Sequence, residues 1–513
     1  MAALAGWGLF PLVLFLVHAA ALHARFTGAD GLIGADGVLG ADQLQYLAWA
    51  RDAGAHGGLT SDLFTLASNG HVYLQPLSAI SGWLSRLGVS LPLAYLLWKP
   101  VAIVAMFLAA VAWARRMFGA QLAPRAAVVA LALFLYTPLT ALFSWTGMGS
   151  GSFRFSLYLL GSELLAAGKL WGYVASAIGL ALVPTSLLAL ERALDTRGGV
   201  APGPLLVSAL AALVAAWLHP WQGITLVVIF AGLAVWGRLR GALTIAVPAV
   251  GAALPLLYYD LLSHHDAAWH LASHYEVIPR LPALVLLAGL GPLAVIAAVG
   301  LRRPGDDLAE RMLLLWVAGC FVTYFVNDAF ATHALQGLSL PWAVLAVRGW
   351  QRLRLGAVAG VLAIGLVTIP GLAYDGRKMV RTADSTTVQY YLPAGDVSAL
   401  DWVQDHAPPG GVLAPTPFAA VVPAETGRAV WVGHGYWSPD YPVQAKQADR
   451  LFGGRLGPAR ARAFVASTGA TVLISDCKHP ADLTRRLVPL LASVHTFGCA
   501  RVYVLARPRS ATR

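Results

Sequence analysis

Runs of apolar residues long enough to cross a bilayer recur along the first three-quarters of this chain, and they decide its class. A hydrocarbon core of about 30 Å takes about twenty apolar residues in helical form. About eleven stretches fit: 5–24, 93–114, 125–143, 172–190, 203–219, 221–237, 241–259, 281–301, 309–327, 331–349 and 355–373. The stretch 203–237 reads either as two short helices turning at His219-Pro220 or as one long kinked helix, because proline removes a helical N–H. Charged residues are only 12% of the chain and apolar ones 58%. Soluble globular chains carry roughly twice that charge. The expected fold is an α-helical polytopic membrane protein of about eleven transmembrane helices.

The net charge of +11 follows the loops rather than a nucleic-acid surface. Arg115, Arg116, Arg125, Arg192, Arg197, Arg238, Arg240, Arg302, Arg303, Arg311, Arg348, Arg352 and Arg354 fall in alternate connections. The opposite short loops hold Arg154, Lys169 and Arg280. Cytoplasmic loops are the ones enriched in Lys and Arg. The N-terminus is therefore expected inside, with the loop 25–92 and the tail outside. The span 5–24 lacks a basic start and a cleavage site set apart from its apolar run, so it reads as a retained first helix rather than a signal peptide.

The outer loop 25–92 is too long for a simple connection. It opens with a small repeat, Gly28-Ala29-Asp30, Gly34-Ala35-Asp36 and Gly40-Ala41-Asp42, of residues that favour turns. Two amphipathic helices follow, one with Asp42 at its N-cap and one over about 73–87. Helices of this kind usually lie on the membrane surface. A second outer loop, 260–280, holds Asp260, His264, His265, Asp266, His270, His274 and Glu276. From about 374 the composition shifts to proline clusters and more charge. Strands are expected at 411–414, 429–432, 471–475 and 501–505, and helices at 396–406, 459–468 and 481–493. The chain thus divides into a transmembrane module, 1–373, and an extracytoplasmic α/β domain, 374–513. Cys477 and Cys499 both lie in that domain, where a disulfide between them fits an oxidising compartment. Cys320 lies inside a span and reads as packing.

Candidate chemistry gathers at helix ends. Asp42, at the start of an outer helix, is either an ordinary N-cap or a general base able to take a proton from a hydroxyl. His219-Pro-Trp-Gln222-Gly223 and His333-Ala-Leu-Gln336-Gly337 share the pattern His-x-x-Gln-Gly. Spacing of three places each His and Gln on one helical face, where they hold helix ends or hydrogen-bond a phosphate or sugar. Lys99, inside a span, either snorkels to the surface or clamps a phosphate. Arg154, in a glycine-rich loop, suits the same anion. His270 and His274 are four apart and could share a metal, but no defined third ligand follows. No Walker A loop, Rossmann glycine fingerprint or Gly-x-Ser-x-Gly elbow occurs.

This layout resembles the GT-C superfamily of integral-membrane glycosyltransferases over most of the chain. The shared features are a first helix leading to a long outer loop with an acidic residue (Asp42, ahead of Gln43-Leu44-Gln45-Tyr46), two amphipathic segments, a second outer loop at 260–280, and an outside C-terminal domain. No Asp-Asp, Asp-Glu or Asp-x-Asp pair stands in the first loop. The resemblance implies transfer of a sugar from a polyprenyl-phosphate carrier to an extracytoplasmic glycan, lipid or protein acceptor, in the plasma membrane. It implies Asp42 as the base and Lys99, Arg154, His264, His265 and Arg280 as contacts of the carrier phosphate, with a divalent cation compatible. Trp431, His434, Tyr436, Trp437 and Tyr441 either stack on an acceptor glycan, form core or contact the membrane. The alternatives are a lipid or glycan transporter, whose related halves are not evident here, and a non-catalytic scaffold in envelope assembly.

Overall fold

The computed structural model describes residues 1–25, 29–32, 40–195, 199–237, 241–275, 280–303, 305, 307–383 and 391–506. Gly28, Gly34, Ala35 and Asp36 of the repeat, Arg197, Arg238, Arg240 and Glu276 lie outside them. Among the described residues, five helices are long and apolar enough to cross a membrane: Leu91–Phe118, Val174–Leu194, Ala242–His265, Leu308–Val326 and Ala357–Ala383. A sixth arises if Leu122–Phe134 and Pro138–Thr146, bent by 46°, count as one span. Shorter apolar helices cover Ala2–His18, Pro202–Leu218, Pro220–Trp236 and Ala283–Val299. The chain breaks at His219, so 203–237 is two helices rather than one kinked one. The stretch 331–349 holds a 3₁₀ turn, Ala331–Gly337, followed by the helix Ser339–Arg352.

The residues form two compact units. One comprises Met1–Phe10, Trp98–Leu261 and Glu276–Met379; the other comprises Pro11–Leu97, Leu262–Tyr275 and Val380–Arg513.

The first unit is a helical bundle around Trp113, Leu157, Leu160, Phe230, Trp316 and Tyr324, all buried. Several of its charges are paired. Arg116 meets Glu191 at 2.6 Å and Asp307 at 2.7 Å. Arg348 does not lie in a loop as its sequence position implied. It is buried in Ser339–Arg352 and donates from Nη1 to Glu310 Oε2 at 2.7 Å. A buried guanidinium is tolerable only with such a partner.

In the second unit the helix Gly40–Ala55 packs on Pro76–Arg86. The contact is backbone to backbone: a Cβ on Gly54 would lie 2.7 Å from the Gly82 carbonyl oxygen. Gln43, Leu44, Gln45, Leu47, Ala48 and Trp49 are all buried, so Gly40–Ala55 is an internal helix, not one lying on a lipid surface. It starts at Gly40, which puts Asp42 in its first turn instead of at the cap. Pro76–Arg86 leaves Ile80 and Trp83 exposed. Ala29–Leu32 pairs antiparallel with Tyr391–Pro393, so the first Ala-Asp of the repeat is strand, not turn.

The tail carries a four-stranded sheet in the order Val412–Leu413, Val472–Ser475, Ala500–Leu505, Leu491–Phe497. The first pair is parallel and the others antiparallel. Val430 adds a single bridge to Val412. The helices expected at 396–406 and 459–468 form as Ala394–His406 and Pro458–Thr468. The expected helix 481–493 does not. A short turn, Thr484–Leu487, ends ahead of Pro489, whose missing N–H cannot continue it, and Leu491–Phe497 runs on as a strand. Cys477 and Cys499 are joined, with Cα atoms 4.7 Å apart. Cys320 is free and buried.

Candidate functional site

In the first unit the two His-x-x-Gln-Gly segments meet. His219 sits at the break between Pro202–Leu218 and Pro220–Trp236, and His333 and Gln336 lie in the turn Ala331–Gly337. His219 Nε2 is 2.8 Å from Gln336 Oε1, and the two imidazole centroids are 6.0 Å apart. An amide oxygen only accepts, so the Nε2 of His219 carries the proton. Its Nδ1, and both ends of the Gln222 amide, are buried with no partner among the described residues. Gly337 lets this happen: a Cβ there would lie 2.8 Å from Gln222 Oε1.

Glu163 ties the cluster together. It ends the helix Gly151–Leu164, and the next turn, Ala166–Leu170, swings Lys169 back toward it. Lys169 Nζ donates to Glu163 Oε2 at 2.8 Å, and His333 Nδ1 lies 2.7 Å from Oε1. Burial pushes the Glu163 carboxyl up, but Lys169 and His333 outweigh it and hold the group below the usual carboxylate range. Phe330, in the left-handed region at φ 42°, stacks on His333 at 5.0 Å. Neither Glu163 nor Lys169 stood out as a site residue in the sequence. The signal was there: Glu163 is the only acidic residue between Asp62 and Glu191.

The other cationic candidates of this unit are dispersed. Lys99 is buried and donates to the Gly8 carbonyl at 2.8 Å, so it does not snorkel. Arg280 meets Asp328 at 2.6 Å and donates to the Phe325 carbonyl at 2.8 Å. Arg154 reaches the carbonyls of Gly147 and Gly149 at 2.6 and 2.7 Å. With Lys378, Tyr158 and Tyr374 it lines a cavity of about 240 Å³. The Lys378 ammonium stands 3.9 Å over the Tyr158 ring. A larger cavity of about 410 Å³ is almost wholly apolar, lined by Trp7, Phe10, Phe134, Ile364 and Leu372.

In the second unit Asp42 faces His434, Oδ1 to Nε2 at 3.5 Å. The loop bearing His434 is fixed by Ser438, whose Oγ accepts from the Gly433 and His434 N–H groups and donates to the Phe64 carbonyl at 2.8 Å. The Tyr436 N–H points at His434 Nδ1 at 3.2 Å, which makes Nδ1 the acceptor and leaves the proton on Nε2, toward Asp42. His434 is buried and the Asp42 side chain is 28% exposed. The result is a partly exposed carboxylate beside a buried imidazole. Asp62, two residues from Phe64, is a second carboxyl: burial pushes it up to about 7, partly offset by the Phe64 N–H and reinforced by Asp266.

Trp437 does not offer a stacking face. It is buried against Trp49 at 5.2 Å and Trp269 at 4.9 Å, and Trp431 packs on Phe464 at 5.1 Å. His264 and His265 are exposed at the end of Ala242–His265, and His270 and His274 stack at 4.1 Å.

No family model matches the chain, and no curated protein does. Among solved structures it is similar to ArnT from Cupriavidus metallidurans bound to undecaprenyl phosphate, at 15% identity and a TM-score of 0.48 over 97% of each chain. It is similar to the apo oligosaccharyltransferase of Archaeoglobus fulgidus at 13% identity and a TM-score of 0.41, over 98% of this chain and 75% of that one. It is also similar to the arabinofuranosyltransferase AftD from Mycobacteria at 18% identity and a TM-score of 0.48, over 90% of this chain and 36% of that one.

Proposed function

We propose that this chain transfers a sugar from a polyprenyl-phosphate carrier to a glycan, lipid or protein acceptor on the outer face of the plasma membrane, with Asp42 as general base. The observation that supports this most is the Asp42–His434 pair: a part-exposed carboxylate beside a buried imidazole N–H. Asp42 accepts the proton of the acceptor hydroxyl. The acceptor oxygen then bonds to the anomeric carbon, the bond from that carbon to the phosphate oxygen breaks, and the phosphate leaves with the electron pair, still on its lipid. His434 is a positioning residue that holds Asp42.

The leaving phosphate gains charge, and fixed cations offset it. Arg154 and Lys378 line one cavity of the first unit that is large enough for a phosphate, and we assign phosphate binding to them on that ground. Lys99, His333 and Arg280 already have partners, and His219, Gln222 and Gln336 are buried; these we assign to holding the bundle. His264 and His265 remain exposed candidates for the headgroup. The apolar cavity suits a stretch of isoprenoid chain. The similar ArnT structure holds undecaprenyl phosphate, and we extend that ligand class to this chain.

The test uses the purified chain in proteoliposomes with a polyprenyl-phosphate-linked labelled sugar and a glycan acceptor. Label passing to the acceptor, with release of polyprenyl phosphate, is the expected result. Label that crosses the bilayer still attached to its carrier makes the chain a transporter, and no change in the donor makes it a scaffold; either overturns the proposal.

A further inference from the structure

A second group of chemistry-bearing residues lies at the far end of the helix that carries Asp42. Asp52 is in the last turns of Gly40–Ala55, and His56 follows just past its end. Beyond it the chain loops out and returns, closed by the paired backbones of Thr60 and Tyr73 at 2.8 and 3.1 Å. That closure brings His71 back over the helix end. His56 Nδ1 lies 2.8 Å, and His71 Nε2 3.3 Å, from the same oxygen, Asp52 Oδ1. The two imidazole centroids are 3.6 Å apart, and the three ligating atoms all fall within 4.8 Å of one another.

The other oxygen of Asp52 is already committed. Oδ2 accepts from Thr60 Oγ1 at 2.9 Å, from the Ser61 N–H at 2.8 Å and from Ser61 Oγ at 3.1 Å. These bonds orient the carboxylate so that Oδ1 alone is presented to the two rings, the support that metal-ligating carboxylates ordinarily have. The Asp52 side chain is 4% exposed, while His56 is 45% and His71 37% exposed, so the group opens to solvent on the imidazole side.

We propose that Asp52, His56 and His71 bind a divalent transition-metal ion of the zinc class. Two nitrogens and one oxygen suit zinc with a fourth position left to water. Magnesium and calcium, which take oxygen ligands, are disfavoured by the two imidazoles. Asp52 lies roughly 15 Å along the helix axis from Asp42 at 1.5 Å per residue. The ion is accordingly a clamp, fastening the returning segment 60–73 to the end of the helix, and takes no part in proton removal at Asp42.

The experiment measures binding, not turnover, so it stands apart from the proposed transfer activity. The full chain, purified in detergent without a histidine tag and stripped by a chelator, is titrated with Zn²⁺ alone and, separately, with Co²⁺ alone. One equivalent of Zn²⁺ is expected at micromolar or tighter affinity, with a rise of several degrees in melting temperature. Co²⁺ is expected to give the visible absorption of a four-coordinate site. His56→Ala and His71→Ala should each weaken Zn²⁺ at least tenfold. His71→Cys, which restores a ligand, should recover binding, and His270→Ala with His274→Ala should leave it unchanged. No saturable Zn²⁺ in the unsubstituted chain overturns the proposal. So does affinity that survives both single alanine variants, or that falls only with the His270 and His274 pair.

Discussion

The Nε2 of His219 lies 2.8 Å from the Oε1 of Gln336, so residues 117 positions apart in two like-patterned segments form one buried hydrogen bond between helix ends. Both residues are buried. Replacing Gln336 by Leu leaves the His219 N–H without an acceptor, which costs about 1–3 kcal/mol. Thermal unfolding in detergent should show that loss. Gly337→Ala should be destabilising too, because its methyl would press on the Gln222 amide at 2.8 Å.

Glu163 holds Lys169 and His333 from its two oxygens. Removing its charge strands a buried ammonium, and breaking such a pair by one partner costs about 3–5 kcal/mol. Glu163→Gln should therefore destabilise the chain more than any exposed substitution. Glu163→Gln combined with Lys169→Met should recover much of the loss, which the same unfolding measurement would detect.

Stability should depend on pH through two buried carboxyls outside the spans. Burial pushes Asp62 up to about 7; for Asp396 burial does the same, against the Cys477 N–H and with Asp476. Each has a folded pKa above its unfolded value of about 4. The folded state thus binds more protons in that window, and its stability falls as pH rises from about 4 to about 7. The slope is on the order of 1.4 kcal/mol per pH unit for each group. Asp62→Asn and Asp396→Asn should each flatten the curve when unfolding is followed between those limits.

Lys378 lines the same cavity as Arg154 but carries no capping role toward Gly147 and Gly149. Lys378→Ala should raise KM for a polyprenyl-phosphate-linked donor about tenfold while leaving KM for the acceptor unchanged, as steady-state kinetics with each substrate varied in turn would show. A hydrogen bond to a charged group is worth about 1.5–3 kcal/mol, a factor of roughly ten or more.

Much of this was legible in the chain. Apolar runs located helices, though five of the expected eleven spans are long and apolar enough to cross a membrane among the described residues, and His219-Pro220 marked the break between two helices. The paired His-x-x-Gln-Gly segments marked a buried polar cluster at helix ends, though spacing alone could not say that they touch. Pairings across long separations were not legible. Arg348 looked like a loop charge because Glu310, its partner, is 38 residues earlier. Lys169 looked like another because Glu163 is brought to it by a turn no periodicity announces. In the tail, the apolar spacing of Leu487, Val488, Leu490 and Leu491 imitated a helix, yet Pro489 ends it and pairing with Ala500–Leu505 makes the following segment a strand. His434, grouped by sequence with the stacking aromatics, becomes the partner of Asp42 only once Ser438 anchors its loop.

The most direct measurement is the turnover number of Asp42→Asn with a polyprenyl-phosphate-linked sugar and acceptor, taken beside its melting temperature. Asn keeps the shape and an oxygen toward His434 but cannot take a proton. A fall in kcat of about 10²–10⁴-fold at an unchanged melting temperature is predicted. A kcat within a few-fold of the unsubstituted chain would contradict the assignment of Asp42 as the base.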